Sequence, residues 1–181
     1  MYFISSFLLN VLVHVMFDGS AAQSDCSDCC TKGNYTEIDE PRRSIRSLWK
    51  VGQKALCDSS LPWGWYRFTS FTGDEMPTSI VNKNRCGTAA PVWIKGTNPS
   101  EQDGTVDRKA CINFFGIKNG CSQTLNIKVR NCSSYYVYFL GPTYSCAIAY
   151  CAGKILLFLT LYTKLESVTS QVIVYSCRSS H

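Results

Sequence analysis

The sequence predicts an all-β fold: a small, disulfide-rich domain of short antiparallel strands and long loops. Three observations lead to this prediction. The 181 residues include eleven cysteines, several short runs are rich in aromatic and β-branched residues, and Gly, Pro and Asn separate those runs. Hydrophobic residues make up 45% of the chain, which is enough for a packed core and too many for a disordered chain.

Five runs are predicted to be strands because they combine β-forming residues and end at turn residues. In the third run, Leu125, Ile127 and Val129 alternate with the polar Asn126 and Lys128, which is typical of a strand with one buried face. The runs are GWYRFTSF at 64–71, PVWIKG at 91–96, TLNIKVRNC at 124–132, YYVYFL at 135–140 and CAIAYC at 146–151.

Residues 1–22 have the pattern of a signal peptide. An apolar run over residues 7–17 is followed by small residues, and Ser20 and Ala22 fit the cleavage positions. A buried helix or an anchor is the alternative, but the run is shorter than the roughly 20 residues that span a bilayer. Secretion would place the cysteines in an oxidising compartment. A cysteine-rich N-terminal segment, residues 23–29, follows the predicted leader.

Catalytic and metal-binding patterns are missing from the sequence. The two histidines, His14 and His181, lie near the ends of the chain, so neither a Cys/His zinc site nor a histidine-activated nucleophile is expected in its middle. The acidic stretch at 97–107 fails the calcium-loop pattern, because Asp103 stands where glycine is required. We therefore expect no enzyme activity and no cofactor.

The stretch RRSIRSLWKVGQK, residues 42–54, is the one helix-like part of the sequence. Its cations recur at three- and four-residue steps, although Gly52 weakens the helix prediction. The formal net charge of the chain is +5, and outside the cell a sulfated glycan is a more plausible partner than a nucleic acid. A solvated loop is the alternative. The candidate contacts are Arg42, Arg43, Arg46, Lys50 and Lys54.

Four longer motifs resemble one known family. These are NYTEIDEPRRS, LCDSSLPWGWYRFTSFTGDEMPT, CGTAAPVWIKGTNPSEQDGTVDRKAC and VRNCSSYYVYFLGPTYSCAIAYC. Together, over residues 30–151, they resemble the eight-cysteine extracellular domain of uromodulin, pancreatic secretory granule glycoprotein 2 and related ectodomain proteins. The resemblance implies a secreted, non-enzymatic module.

The resemblance also implies a disulfide pairing. Sequence alone leaves all 105 pairings of eight cysteines open. The family pattern implies the pairs Cys30–Cys132, Cys57–Cys146, Cys86–Cys151 and Cys111–Cys121. A fifth family bridge has both of its positions replaced here, by Ser79 and Gly120.

Three cysteines lie outside the implied framework. Cys26 and Cys29 are close enough in sequence to pair with each other, and Cys177 would then be free. An unpaired cysteine outside the cell could link two chains into a covalent dimer.

Two N-glycosylation sequons remain in the sequence. The NYT at Asn34 lies in a polar segment, whereas strand alternation puts Asn131 on the buried face of its strand and makes the NCS there a poorer acceptor. In the family, a glycan on this domain can act as a decoy for a bacterial lectin. The resemblance places the family's glycan-bearing asparagines at Phe139 and Lys95, so both of those sequons are lost.

Residues 152–181 form an unassigned tail. Its apolar run at 155–162 is too short to span a membrane, and one interpretation is that the reading frame continues into an intron. The sequence thus predicts a secreted module that binds an extracellular protein or glycan and has no transmembrane span. A glycan-presenting decoy, a sulfated-glycan-binding module and a structural ectodomain fragment are the alternatives.

Overall fold

The computed structural model describes residues 26–153. The predicted signal peptide, most of the tail and Cys177 lie outside the described residues. Within this range the chain forms seven strands, one short 3-10 turn at Pro41–Arg43 and no α-helix. The strands are β1 (Thr36–Ile38), β2 (Gly64–Phe68), β3 (Ala90–Lys95), β4 (Thr105–Ile112), β5 (Gln123–Asn131), β6 (Tyr136–Leu140) and β7 (Ile148–Tyr150).

All seven strands belong to one sheet, in the order β1-β2-β6-β5-β4-β3-β7. The inner pairs are antiparallel, as predicted, and the longest of them joins β4 to β5 from Thr105 opposite Arg130 to Ile112 opposite Gln123. The two outermost pairs, β1 with β2 and β3 with β7, are parallel. Both edge strands are only three residues long. Short edges of this kind leave little unpaired backbone for aggregation.

One face of the sheet carries the main core. The alternation predicted for β5 is confirmed, because Ile127 and Val129 are buried while Asn126 is exposed and Lys128 is partly exposed. Tyr138 is fully buried in the same cluster, and its hydroxyl accepts a hydrogen bond from the Met76 amide at 3.0 Å. Burial raises the pKa of this phenol far above its usual range, so the ring stays neutral in the core.

Disulfides hold the long loops against the sheet. The structure contains five of them, with Cα–Cα distances of 4.7–5.6 Å: Cys26–Cys29, Cys30–Cys132, Cys57–Cys146, Cys86–Cys151 and Cys111–Cys121. Three of the bridges join residues 65–102 positions apart. In the chain-entropy model, a loop of about 100 residues gains roughly 4.7 kcal/mol of stability from such a bridge.

The helix predicted for residues 42–54 is wrong. After the 3-10 turn the segment continues in turns and extended backbone, and Gly52 has a φ of 93°. Its amides are committed to neighbouring loops: Trp49 donates to the Asn84 carbonyl at 2.8 Å, and the Gly87 amide donates to the Ser47 carbonyl at 3.5 Å. Tertiary hydrogen bonds therefore replace the helical ones.

The packed domain continues two residues beyond the last framework cysteine. The Ala152 amide donates to the Arg43 carbonyl at 2.9 Å, and the Gly153 amide donates to the Glu75 carbonyl at 2.7 Å. Gly153 lies directly against Gly73, where a Cβ would come within 2.0 Å of the Gly153 Cα. Residues 152 and 153 thus belong to the core rather than to the tail.

Candidate binding surface

The outer face of β2 and β6, opposite the main core, is aromatic. Trp65 and Phe139 are cross-strand partners whose rings meet edge to face with centroids 5.6 Å apart. Trp63, just before β2, stacks on the other side of Phe139 at 5.8 Å with an interplanar angle of 25°. Aromatic pairs in these geometries are worth about 0.5–1.5 kcal/mol beyond the area that they bury.

A cation extends this aromatic face toward β1. The Arg67 guanidinium lies 3.8 Å from the centre of the Tyr135 ring and 5.9 Å from that of Tyr35. The two tyrosines also meet edge to face at 5.9 Å. Burial, followed by its hydrogen bond with Tyr35, raises the pKa of the Tyr135 phenol, so the ring remains a neutral partner for the cation.

An open groove of about 570 Å³ borders this face, and we call it the aromatic groove. Residues 33–38 line one side of it, and residues 61–66, which lead into β2, line the other. This volume is within the usual range of small-ligand sites. Trp63 stands at the rim with 60% of its surface exposed, which is unusual for so large an apolar side chain.

Gly141 fixes the position of the exposed Trp63. A Cβ at Gly141 would lie 2.4–2.5 Å from three atoms of the indole ring, so the ring packs flat on bare backbone. With Phe139 stacked beside it, the indole is held in place before any ligand arrives. Such preorganisation lowers the entropy lost on binding.

The floor of the groove contains a hydrogen-bond donor without an acceptor. Trp65 is 8% exposed, and its indole N–H has no partner among residues 26–153. A buried polar group in this state destabilises the free protein by about 1–3 kcal/mol. An acceptor or a water molecule that reached it would relieve that cost.

Arg43 is not a glycan contact, so this prediction is wrong. The residue is 7% exposed, and its guanidinium donates to both carboxylate oxygens of Asp58 at 2.7 Å. The same guanidinium donates to the Tyr150 carbonyl at 2.9 Å, and Asp58 accepts from the Tyr150 amide at 2.8 Å. Arg43 is therefore buried within the edge of the sheet at β7.

The other predicted cations are not gathered on one face. Arg42 forms a two-pronged pair with Glu40, with nitrogen–oxygen distances of 2.6 and 3.0 Å, and this pair lowers the pKa of Glu40. Arg46, Lys50 and Lys54 are exposed on an irregular segment rather than along one side of a helix. The structure does not bring the five predicted contacts together.

The two sequons have different surroundings. Asn34 is exposed on the groove, and its amide donates to the backbone and side-chain oxygens of Asp28, both at 3.0 Å. Asn131 is partly buried at the end of β5, where its amide donates to the Pro99 carbonyl at 3.0 Å and to the Tyr136 hydroxyl at 3.2 Å. A glycan at Asn131 would disrupt partly buried hydrogen bonds, whereas one at Asn34 would disturb only exposed ones.

The sequence prediction missed the groove and the role of Trp63. The segment PWGWYRF contains the signal, because its strand carries aromatic rings on both faces: Tyr66 and Phe68 enter the core while Trp65 faces outward. One core face needs only every second residue to be apolar. An aromatic side chain on the other face therefore indicates a second apolar surface.

The described residues show neither a metal site nor a membrane helix. No group of three or more metal-ligating side chains occurs within residues 26–153. In the same range, no helix is long and apolar enough to cross a bilayer.

Comparison with known proteins identifies the family of this domain. Residues 66–152 match the family model described as the uromodulin-like domain of eight cysteines. The chain is 37% identical over 137 residues to the pancreatic secretory granule membrane major glycoprotein GP2 of Rattus norvegicus, which is 74% of this chain and 24% of that protein. The same glycoprotein of Homo sapiens is 38% identical over 127 residues, covering 70% of this chain and 22% of its own length.

The chain thus spans about a quarter of the length of the relatives that it matches. The family and the ten bridged cysteines place the domain outside the cell, as a module of secreted glycoproteins. The chain carries a uromodulin-like eight-cysteine domain and belongs to that family of extracellular domains.

Proposed function

We propose that this secreted domain is a non-enzymatic binding module and that it binds an extracellular protein or glycan through the aromatic groove. The observation that supports this most is the exposed Trp63, held rigidly by Phe139 and Gly141 at the mouth of the groove. Tryptophan anchors next to pockets are enriched among the residues that dominate binding energy.

The shape and chemistry of the groove suit a ligand with a flat apolar face and hydrogen-bond acceptors. The Trp63 ring offers a stacking platform, and the Trp65 indole N–H lacks an acceptor within the described part of the chain. A pyranose ring has these properties, and so does an extended peptide with an apolar side chain.

A glycan-presenting decoy is the second candidate function. It is favoured by Asn34, an exposed sequon asparagine on the groove that faces no partly buried partner. The sulfated-glycan hypothesis receives less support, because Arg43 is buried and Arg42 is paired with Glu40.

A binding screen with matched variants tests these candidates. The secreted protein is screened against glycans, microbes and extracellular proteins, together with Trp63→Ala and the control Phe71→Ala, which removes an exposed ring outside the groove. We expect Trp63→Ala to weaken binding about 30-fold or more, corresponding to a hot spot of about 2 kcal/mol, and Phe71→Ala to leave it unchanged.

The other candidates predict different results in the same screen. Binding that is lost on enzymatic deglycosylation and kept by Trp63→Ala supports the decoy. Binding that is lost at high salt and kept by Trp63→Ala supports the basic segment. If the native protein bound nothing in the screen, the structural role would be favoured over the proposed function.

A further inference from the structure

A second apolar surface lies at another part of the domain, on the loop that follows β4. Four side chains there are exposed although they are large and hydrophobic: Phe115 by 72%, Ile80 by 50%, Phe114 by 46% and Ile117 by 39%. We call these four residues the apolar tip. Residues 114–119 are all exposed, so the loop projects from the end of the sheet rather than lining a groove.

The loop that carries the apolar tip is held in one conformation. The Cys111–Cys121 disulfide closes it, and the buried Asn113 fixes its base by donating to the Val81 carbonyl at 2.9 Å and accepting from the Gly116 amide at 2.9 Å. The two phenylalanine rings support each other edge to face, with centroids 5.0 Å apart. The exposed rings are therefore features of a rigid loop rather than of an unfolded one.

The two segments that form this surface pack closely against each other. A Cβ on Gly120 would lie 2.4 Å from the Ile80 Cγ2, and a Cβ on Gly116 would lie 3.0 Å from the Lys83 Cδ. Ile80 and Lys83 thus lie directly on the loop, and the tip is a single continuous patch.

Only positive charge surrounds the apolar tip along these two segments. Residues 79–86 and 113–121 contain Lys83, Arg85 and Lys118 and no acidic residue. The acids Glu101 and Asp103 lie in the loop before β4, at the opposite end of that strand. The charge distribution therefore favours an anionic partner at the tip.

The size of the patch decides which kind of anionic partner fits. A stable protein interface buries about 800 Å² on each partner, which is more than four partly exposed side chains supply. A membrane surface does not require a complementary shape. Aromatic rings favour the interfacial region of a bilayer, and each nearby Lys or Arg adds about 1 kcal/mol of attraction to anionic headgroups.

We propose that the apolar tip and its flanking cations form a membrane-contact surface. Lys83, Arg85 and Lys118 bind anionic phospholipid headgroups, while Phe114 and Phe115 insert among the upper parts of the acyl chains. Binding of this kind combines apolar area with electrostatic attraction and is reversible. This surface is distinct from the aromatic groove, so the two proposals stand or fall separately.

Vesicle flotation tests the proposal. The secreted protein is mixed with vesicles of phosphatidylcholine alone or of phosphatidylcholine with added phosphatidylglycerol. We expect flotation with the anionic vesicles only, and a decrease as salt is raised. Lys83→Glu with Lys118→Glu should weaken this binding at least about tenfold, and so should Phe114→Ser with Phe115→Ser.

Matched variants control for folding and for general effects of charge and apolar area. Lys32→Glu reverses an exposed cation and Phe71→Ser removes a ring that is 88% exposed, and both should float like the native protein. The proposal is overturned if anionic vesicles do not bind the native chain, or if the tip variants bind as well as these controls. Capture of the chain by polyglutamate beads with the same variant pattern, but without vesicle binding, would overturn it in favour of an acidic protein partner.

Discussion

The guanidinium of Arg43 and the carboxylate of Asp58 form a buried, two-pronged ion pair, with both nitrogen–oxygen distances at 2.7 Å. The pair stabilises the edge strand β7, because Arg43 donates to the Tyr150 carbonyl and Asp58 accepts from the Tyr150 amide. Side chains therefore make the hydrogen bonds that a further strand would make at this edge. This arrangement also protects the edge from pairing with other chains.

Breaking this ion pair should strongly destabilise the domain. Arg43→Met leaves a buried carboxylate without its partner, and such changes cost about 3–5 kcal/mol. Arg43→Lys should also destabilise it, because an ammonium group cannot reproduce the planar two-pronged contact. Urea unfolding of the disulfide-intact protein measures both effects.

The control for this prediction is Arg42→Met. It breaks the pair with Glu40, in which the Arg42 side chain is 52% exposed, and exposed pairs contribute only about 0–1 kcal/mol. If Arg42→Met and Arg43→Met unfolded at the same urea concentration, the buried pair would not hold the sheet edge.

Two cysteine variants should differ greatly in secretion yield. Cys57→Ser leaves Cys146 unpaired and opens a bridge between residues 89 positions apart, whereas Cys26→Ser opens a bridge between residues only three apart. In the chain-entropy model the long bridge contributes far more stability than the short one. Yields from cultured cells should fall sharply for Cys57→Ser and little for Cys26→Ser. Equal yields would argue against this assignment of the framework.

N-glycosylation should depend mainly on Asn34. The hydrogen bonds of Asn34 are exposed, whereas those of Asn131 are partly buried and bind it to Pro99 and Tyr136. Removing N-glycans enzymatically should lower the mass of the secreted protein, and Asn34→Gln should abolish most of that mass difference. If Asn131→Gln abolished it instead, the end of β5 would have to be more open than in this structure.

Truncation should locate the end of the domain. A chain that ends at Gly153 keeps the backbone hydrogen bonds of residues 152 and 153, so it should be secreted normally. It also lacks Cys177, the one cysteine of eleven that is outside the five bridges, so disulfide-linked dimers on a non-reducing gel should decrease.

A second truncation provides the comparison. A chain that ends at Cys151 loses the contacts of Ala152 and Gly153 and should unfold at a lower urea concentration. Retention of the longer truncated chain inside the cell would show that residues beyond 153 belong to the core.

Some strands were predictable from local patterns and others were not. β5 was predicted because its apolar residues alternate, and that alternation survives in the sheet. β4 was missed because Asp107, Arg108 and Lys109 follow one another in its middle. Polar partners on β5 explain how it pairs nonetheless: Lys128 approaches Asp107 at 3.2 Å, and Lys109 donates to the Asn126 side chain. Cross-strand partners of this kind are not visible in a local pattern.

The burial of Arg43 was also beyond local reasoning. Its partners, Asp58 and Tyr150, lie 15 and 107 positions further along the chain, and nothing in the run of basic residues distinguishes it from Arg42. The disulfide pairs in the structure are those that the family resemblance implies, whereas residue spacing alone left every pairing open. The groove needed the structure, because residues 33–38 and 61–66 meet only through the parallel pairing of β1 with β2.

Hydrogen exchange with and without a ligand from the binding screen tests the central claim most directly. If the ligand occupies the aromatic groove, amides in residues 33–38 and 61–66 should exchange more slowly in the complex, because bound groups exclude solvent from both sides of the groove. The amides of residues 46–54, which carry the exposed cations of the basic segment, should be unchanged. Protection of residues 46–54 without protection of the groove would contradict the account.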